Sequence, residues 1–286
     1  LLSEFPHLAE NLNFIKNLCK REEFDITGTD TEGLNILHIV CDQSSANVDV
    51  IRYIISLKKI DINAKTKEGK TALSYLCDNG SNLQAIKYFS ELKGVDHTVV
   101  DEDGETLLHI AVARNELPVI KYLISLNKIK ITATDKKGRT ILHVACEEGQ
   151  LQLVRYLISL DKLDVGAVDK DGKTILHYAC DNYCNYFEII QYIISLQKVD
   201  LGAKDKEEKT ILFNLVEKGN LDLVTSVINS YQFDFEDTDE ENKNILHYAV
   251  ESENLELVQY IMCIGQINVN EKDEDGATIL HRACEK

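Results

Sequence analysis

Residues 141–160, "ILHVACEEGQLQLVRYLISL", pass through two helical alternations of apolar and polar positions. Ile141, Leu142 and Ala145 mark one short helix, with Thr140 placed to cap its free backbone N–H groups. Gly149 accepts the left-handed backbone that ends such a helix. Leu151, Val154, Leu157 and Ile158 give a second amphipathic helix. The following "LDVGAVDKDG" predicts extended chain and a tight turn at Asp169–Gly172, where glycine tolerates positive φ. Neither helix can bury its apolar face alone, so the unit must stack on a neighbour.

The pattern is periodic. "DTEGLNILHIV" begins at Asp30, "TKEGKTALSYL" at Thr66, "DEDGETLLHIA" at Asp101 and "DKKGRTILHVA" at Asp135. "DKDGKTILHYA" follows from Asp169, "DKEEKTILFNL" from Asp205, "DEENKNILHYA" from Asp239 and "DEDGATILHRA" from Asp273. The turn glycine stands at Gly33, Gly69, Gly104, Gly138, Gly172 and Gly276, with Glu208 and Asn242 in its place twice, on a period of 34. Longer intervals trace to "CDQSSANVDVI", "CDNGSNLQAI" and "CDNYCNYFEII", between the two helices, where a surface loop absorbs extra residues at small cost. The boundaries place one domain over 1–286. A partial unit at 1–29 is followed by units at 30–65, 66–100, 101–134, 135–168, 169–204, 205–238 and 239–272, with a partial unit at 273–286.

The recurring D-x-x-G-x-T-x-L-H-x-A pattern with its second amphipathic helix resembles the ankyrin repeat. The resemblance implies a mainly α fold, an ankyrin-repeat α-solenoid of stacked helix-turn-helix units with β-hairpin loops. It also implies a partner bound through hairpin tips and first helices on the concave side. The family's Pro after the Thr is Ile, Leu or Ala here, and its Gly near the end of the second helix is replaced by "SLDKLD" or similar. Asn63 and Asn270 occupy a hairpin position that is hydroxylated in some ankyrin repeats; their plain role is that of turn residues.

Spacing also decides how the candidate chemistry reads. His38, His109, His143, His177, His247 and His281 share one repeat position. A reactive or metal site needs groups that converge, whereas these are translated along the array. The resemblance implies that the imidazoles bond the Thr hydroxyl and neighbouring backbone. Cys41, Cys77, Cys146, Cys180 and Cys284 share another position, filled elsewhere by Val112, Val216 and Val250, which marks a small buried slot. Packed helices lie too far apart for disulfides between such slots, which favours a reducing, intracellular, cytoplasmic setting. No nucleotide-binding, nucleophile-elbow or zinc-protease motif occurs. The reading is therefore of a non-enzyme, with no catalytic, cofactor-binding or metal-binding residues.

Composition narrows the partner. The formal net charge is −17, which disfavours nucleic acid, and no apolar run is long enough for membrane insertion. The opening "LLSEFPHLAENLNF" has no initiator Met and no basic flank of a signal peptide, so a piece of a longer chain is expected. The residue after the Cys/Val slot is acidic in seven of eight units: Asp42, Asp78, Glu147, Asp181, Glu217, Glu251 and Glu285, with Glu148 beside Glu147. An acid near a helix C-terminus opposes the helix dipole, so local stability does not explain the choice. The expectation is an acidic ridge facing a basic segment of a protein or peptide. Solubility with descent from one ancestral unit is the plain alternative. The central fingers carry Lys136, Lys137, Arg139, Lys170 and Lys173, a basic patch that meets an acidic partner element or offsets the ridge beneath it.

The functional expectation is a monomeric protein-interaction scaffold. Its alternative is a substrate-recruiting segment of a larger enzyme, a kinase or ubiquitin ligase. Tyr53, Tyr88, Tyr122, Tyr156, Tyr192 and Tyr260 recur in the second helix and are expected to form a ladder. Phe213, Leu215 and Glu208 break the pattern in the sixth unit, which predicts a weak seam over 205–232.

Overall fold

The computed structural model describes residues 11–21, 25–43, 46–80, 82–181, 186–264 and 267–285, without the side chains of Asp181 and Tyr186. It is mainly helical, and the chain divides into two compact units, one ending at Lys136 and one beginning at Lys137. The first unit holds α1 (Leu12–Cys19) and three helix pairs: α2 (Ile36–Cys41) with α3 (Val48–Ser56), α4 (Ala72–Asn79) with α5 (Leu83–Glu91), and α6 (Leu107–Ala113) with α7 (Leu117–Ser125). The second holds α8 (Ile141–Glu147) with α9 (Leu151–Ser159), α10 (Ile175–Asp181) with α11 (Tyr186–Ser195), and α12 (Ile211–Glu217) with α13 (Leu221–Ser230). It continues with α14 (Ile245–Glu251), α15 (Leu255–Ile264) and α16 (Ile279–Glu285). Within each unit first helices pack on first helices; α1, α3, α5 and α7 stack likewise, as do α9, α11 and α13.

First helices start where the sequence places them. Thr140 accepts from Leu142 N–H, and the Nδ1 of His143, three residues on, accepts from Thr140 N–H, a reciprocal cap that Asn35, Thr71, Thr106 and Asn244 repeat. Such a cap contributes about 1 kcal/mol. The central pairs bury their stripes completely: Leu142, Ala145 and Cys146 in α8 and Leu153, Val154 and Leu157 in α9 are at most 1% exposed, whereas Val250 and Val258 of the α14/α15 pair are partly exposed. Gly149 takes φ +68 at the helix end, as its position predicts. After the second helices, where the family's glycine is missing, the left-handed residue is Lys58, Asn127, Asp161 or Gln197.

The hairpin loops are shorter than their name implies. Most are turns closed by an aspartate, as when Asp169 Oδ1 accepts from Asp171 N–H and Lys173 N–H, both at 2.8 Å, while Thr66 takes the aspartate's place in the second finger. Pairing across the finger amounts to single antiparallel bridges at Val100–Thr106, Val168–Thr174, Thr238–Asn244 and Lys272–Thr278. Neighbouring tips join instead through the backbone. Lys67 N–H donates to Glu32 O, Glu102 N–H to Glu68 O and Lys136 N–H to Asp103 O in the first unit. In the second, Lys170 N–H reaches Lys137 O at 2.8 Å, Lys206 reaches Asp171, Glu240 reaches Glu207 and Glu274 reaches Glu241. The tip glycine permits that approach: a Cβ on Gly138 would lie 2.9 Å from Lys170 N.

Candidate functional site

The repeated imidazoles serve the scaffold. Nδ1 of His143 and of His177 accepts an N-cap N–H at 3.1 Å, so the hydrogen sits on Nε2. In two repeats that nitrogen meets a carbonyl beyond its own helix pair: His38 Nε2 lies 2.9 Å from Ala64 O at the end of its unit, and His177 Nε2 lies 3.3 Å from Lys209 O of the following unit. Burial lowers the pKa of His38 and of His247, favouring the neutral ring. The rings also touch the next first helix edge-on, His38 against Tyr75 and His143 against Tyr178, with centroids 5.8 and 5.4 Å apart. Phe213 keeps this contact with Tyr248 at 5.5 Å, which is what a phenyl ring can do in a histidine's place. Tyr178 donates its hydroxyl to the finger aspartate Asp169 at 2.7 Å, tying the finger to its own helix.

Cys41, Cys77, Cys146 and Cys180 are free thiols without solvent contact, and burial pushes the Cys77 pKa up to about 12. Such thiols carry almost no thiolate at neutral pH, so they are poor nucleophiles. Among the described residues, no three His, Cys, Asp or Glu side chains gather where they could hold a metal ion.

The acidic residues after the slot line the C-terminal ends of the first helices, and several meet a base of their own finger. Arg139 lies 2.7 Å from Glu147 and Lys243 lies 3.2 Å from Glu251. Asp78 is 2.7 Å from Arg114 and at the 4.0 Å limit from Lys70. The base follows the turn glycine and the acid comes eight residues later, so the finger folds back over the helix end. Arg139 thereby turns away from the basic patch, its side chain only 11% exposed. Lys173 is half-buried at the equivalent place, while Lys136, Lys137 and Lys170 stand exposed at the tips. The Asp181 side chain lies outside the described residues. Asp42 accepts from Asn79 Nδ2 at 3.3 Å, and partial desolvation of its carboxylate, with neighbouring Asp78, raises its pKa against that hydrogen bond. Glu148 and Glu217 are exposed.

In the second unit three ridge positions come together. Glu217, Glu251 and Glu285 line a hollow of about 690 Å³ with Arg282, whose guanidinium also reaches Asp273 at 2.7 Å and Asp275 at 2.6 Å. The arrangement is electrostatic recognition chemistry: carboxylates at one-repeat spacing, able to receive guanidinium or ammonium groups. Asn63 has a structural task, its Nδ2 donating to Gly94 O and its Oδ1 accepting from Asp96 N–H.

Sequence reading missed two sets of contacts. One is the finger-to-ridge ion pairs. The other is the pairing of second-helix tyrosines with bases of the preceding helix: Arg52 lies 4.4 Å over the Tyr88 ring and Arg155 lies 4.2 Å over Tyr192. Rings and cations thus alternate along this part of the ladder, and the signal was a base directly before Tyr53, Tyr88, Tyr122 and Tyr156, whereas Gln191 and Gln259 precede Tyr192 and Tyr260.

A stacked array of capped helix pairs with bonded finger tips defines a repeat scaffold. A family described as ankyrin repeats (3 copies) matches residues 7–101, 76–167, 108–205 and 212–286. The chain belongs to the ankyrin-repeat family, whose repeats generally mediate protein–protein interactions and are typically non-catalytic. No curated protein matches the chain. Among the described residues no helix is long and apolar enough to cross a membrane.

Proposed function

We propose that the chain is a non-enzymatic, monomeric ankyrin domain over residues 1–286 that binds a basic protein segment across the C-terminal ends of its first helices. The 34-residue phase runs through Lys136 and Lys137 unbroken, which supports one domain. Buried cysteines outside disulfides suit a reducing, cytoplasmic compartment. The observation that carries the reading is the hollow shared by Glu217, Glu251 and Glu285. Arg282 there already satisfies Asp273, Asp275 and Glu285, which is the pairing a partner's arginine would extend to Glu217. Lys137 and Lys170 flank the ridge and orient the partner by excluding its cations from the tips.

The test is titration of the full chain with a labelled oligo-arginine peptide at two salt concentrations. Glu217→Lys with Glu251→Lys is expected to weaken binding and flatten its salt dependence. Unchanged affinity removes the ridge as the binding surface.

A further inference from the structure

The second-helix side of the first unit has the opposite electrostatic character to the ridge. Arg52, Lys87 and Lys121 directly precede Tyr53, Tyr88 and Tyr122 on stacked helices α3, α5 and α7. Lys16 Nζ lies 5.6 Å over the Tyr53 ring, Arg52 lies 4.4 Å over Tyr88 and Lys87 Nζ lies 5.7 Å over Tyr122. Base and ring therefore alternate across the first unit, with Lys16, Arg52 and Lys87 each within cation–π range of the next ring. The loops that follow these helices add exposed Lys59, Lys93 and Lys128.

Three observations separate this rim from an ordinary solvated face. Arg52, Lys59, Lys87, Lys93 and Lys128 make no ion pair among the described residues, whereas on the finger side Lys70 lies 3.3 Å from Glu68 and Arg114 lies 2.7 Å from Asp78. The bases are also not required by the repeat. Gln191, Thr225 and Gln259 stand at the Arg52 position in later helices, and Gln232 stands at the Lys59 position. Finally, a guanidinium lying on a tyrosine face keeps its edge N–H groups free, the orientation in which it grips a carboxylate.

We propose that this rim of the first unit docks an acidic segment of a partner protein. The occupant is short and rich in Asp or Glu, with carboxylates that meet Arg52, Lys87 and Lys121 in turn. A longer polyanion would extend beyond the rim into the field of a chain whose net charge is −17. The inference concerns a different face and the opposite partner charge from the ridge, so either can fail alone.

The experiment titrates the full chain with a fluorescein-labelled peptide of alternating Glu and Gly, at low and physiological salt. Arg52→Gln with Lys87→Gln and Lys121→Gln is expected to bind about tenfold more weakly, as loss of three exposed pairs predicts. Lys59→Gln with Lys93→Gln and Lys128→Gln touches none of the ladder rings, so a similar loss there supports docking whether or not the first variant folds. Lys204→Gln with Lys206→Gln, whose ammonium groups already pair with Asp237 and Asp171 on the fingers of the second unit, is expected to bind like the native chain. The proposal is overturned if the native chain does not bind the peptide, or if the finger variant loses as much as the rim variants. It is equally overturned if phosphatidylserine vesicles or a single-stranded oligonucleotide binds more tightly than the peptide.

Discussion

His97 brings an imidazole to a place that Val165 and Leu201 fill in other repeats. It is 3% exposed, and its Nε2 lies 3.2 Å from Ser90 O. Burial lowers its pKa and Lys128 lowers it further, against the opposing pull of backbone carbonyls and Asp96. The folded state therefore resists a proton that the unfolded chain takes up at about pH 6.5, so stability present above that pH is lost as pH falls below it. His97→Val is expected to narrow the difference between urea midpoints at neutral and mildly acid pH, with His38 and His247 supplying the remainder. An unchanged difference would show that His97 is already solvated. The ridge pairs belong to the same scale. Lys70 with Asp78, Arg139 with Glu147 and Lys243 with Glu251 share a spacing of eight, and Glu105, the one acid at the base's place, is followed eight residues later by Ala113, the one position without an acid. The residue types were legible in sequence. Their contact was not, because helical period relates positions three and four apart, and only the folded finger brings eight into reach.

At the scale of elements, the sixth repeat departs most. Glu208 takes the finger's left-handed position with φ +60, where most repeats have glycine. Glu208→Gly removes side-chain strain but frees more backbone in the unfolded chain, a net gain of about 0.5–1 kcal/mol that chemical unfolding would register. The Lys204 contact it forfeits, at 3.7 Å, is exposed and contributes little. Thr210 caps α12 without a side-chain bond, since Phe213 offers no nitrogen to lock it. Leu212 N–H is thus expected to exchange hydrogen faster than Leu142 N–H, which Thr140 accepts at 3.3 Å. Equal protection would show that Phe213 packing compensates fully for the lost cap. Leu215 is itself fully buried at the close-packed position, and the same exchange measurement carried over 205–232 tests the anticipated seam. Helix starts, ends and buried stripes followed from period and capping chemistry. The left-handed Lys58, Asn127, Asp161 and Gln197 did not, because local propensity favours glycine there and tertiary stacking overrides it.

At the scale of the whole molecule, repetition announces the fold from sequence alone, while the division at Lys136 and Lys137 falls inside a finger tip that the periodic pattern does not distinguish. Thiol chemistry offers a direct check on the packing. Cys263 and Cys284 are exposed and are expected to react with an aromatic disulfide reagent in the native state; Cys41, Cys77, Cys146 and Cys180 should wait for unfolding. Rapid modification of the latter four would contradict the buried slot. The two charged faces were unequally legible. The ridge was visible as seven acids in register, but the rim required coordinates to show which bases lack ion pairs.

The rungs between finger tips are made by main-chain atoms, so they hold whether the donor residue is Lys170 or Glu240. Mutational drift at the tips can rewrite what the molecule grips without loosening the structure, proline alone being inadmissible at the donor places because it has no N–H to give.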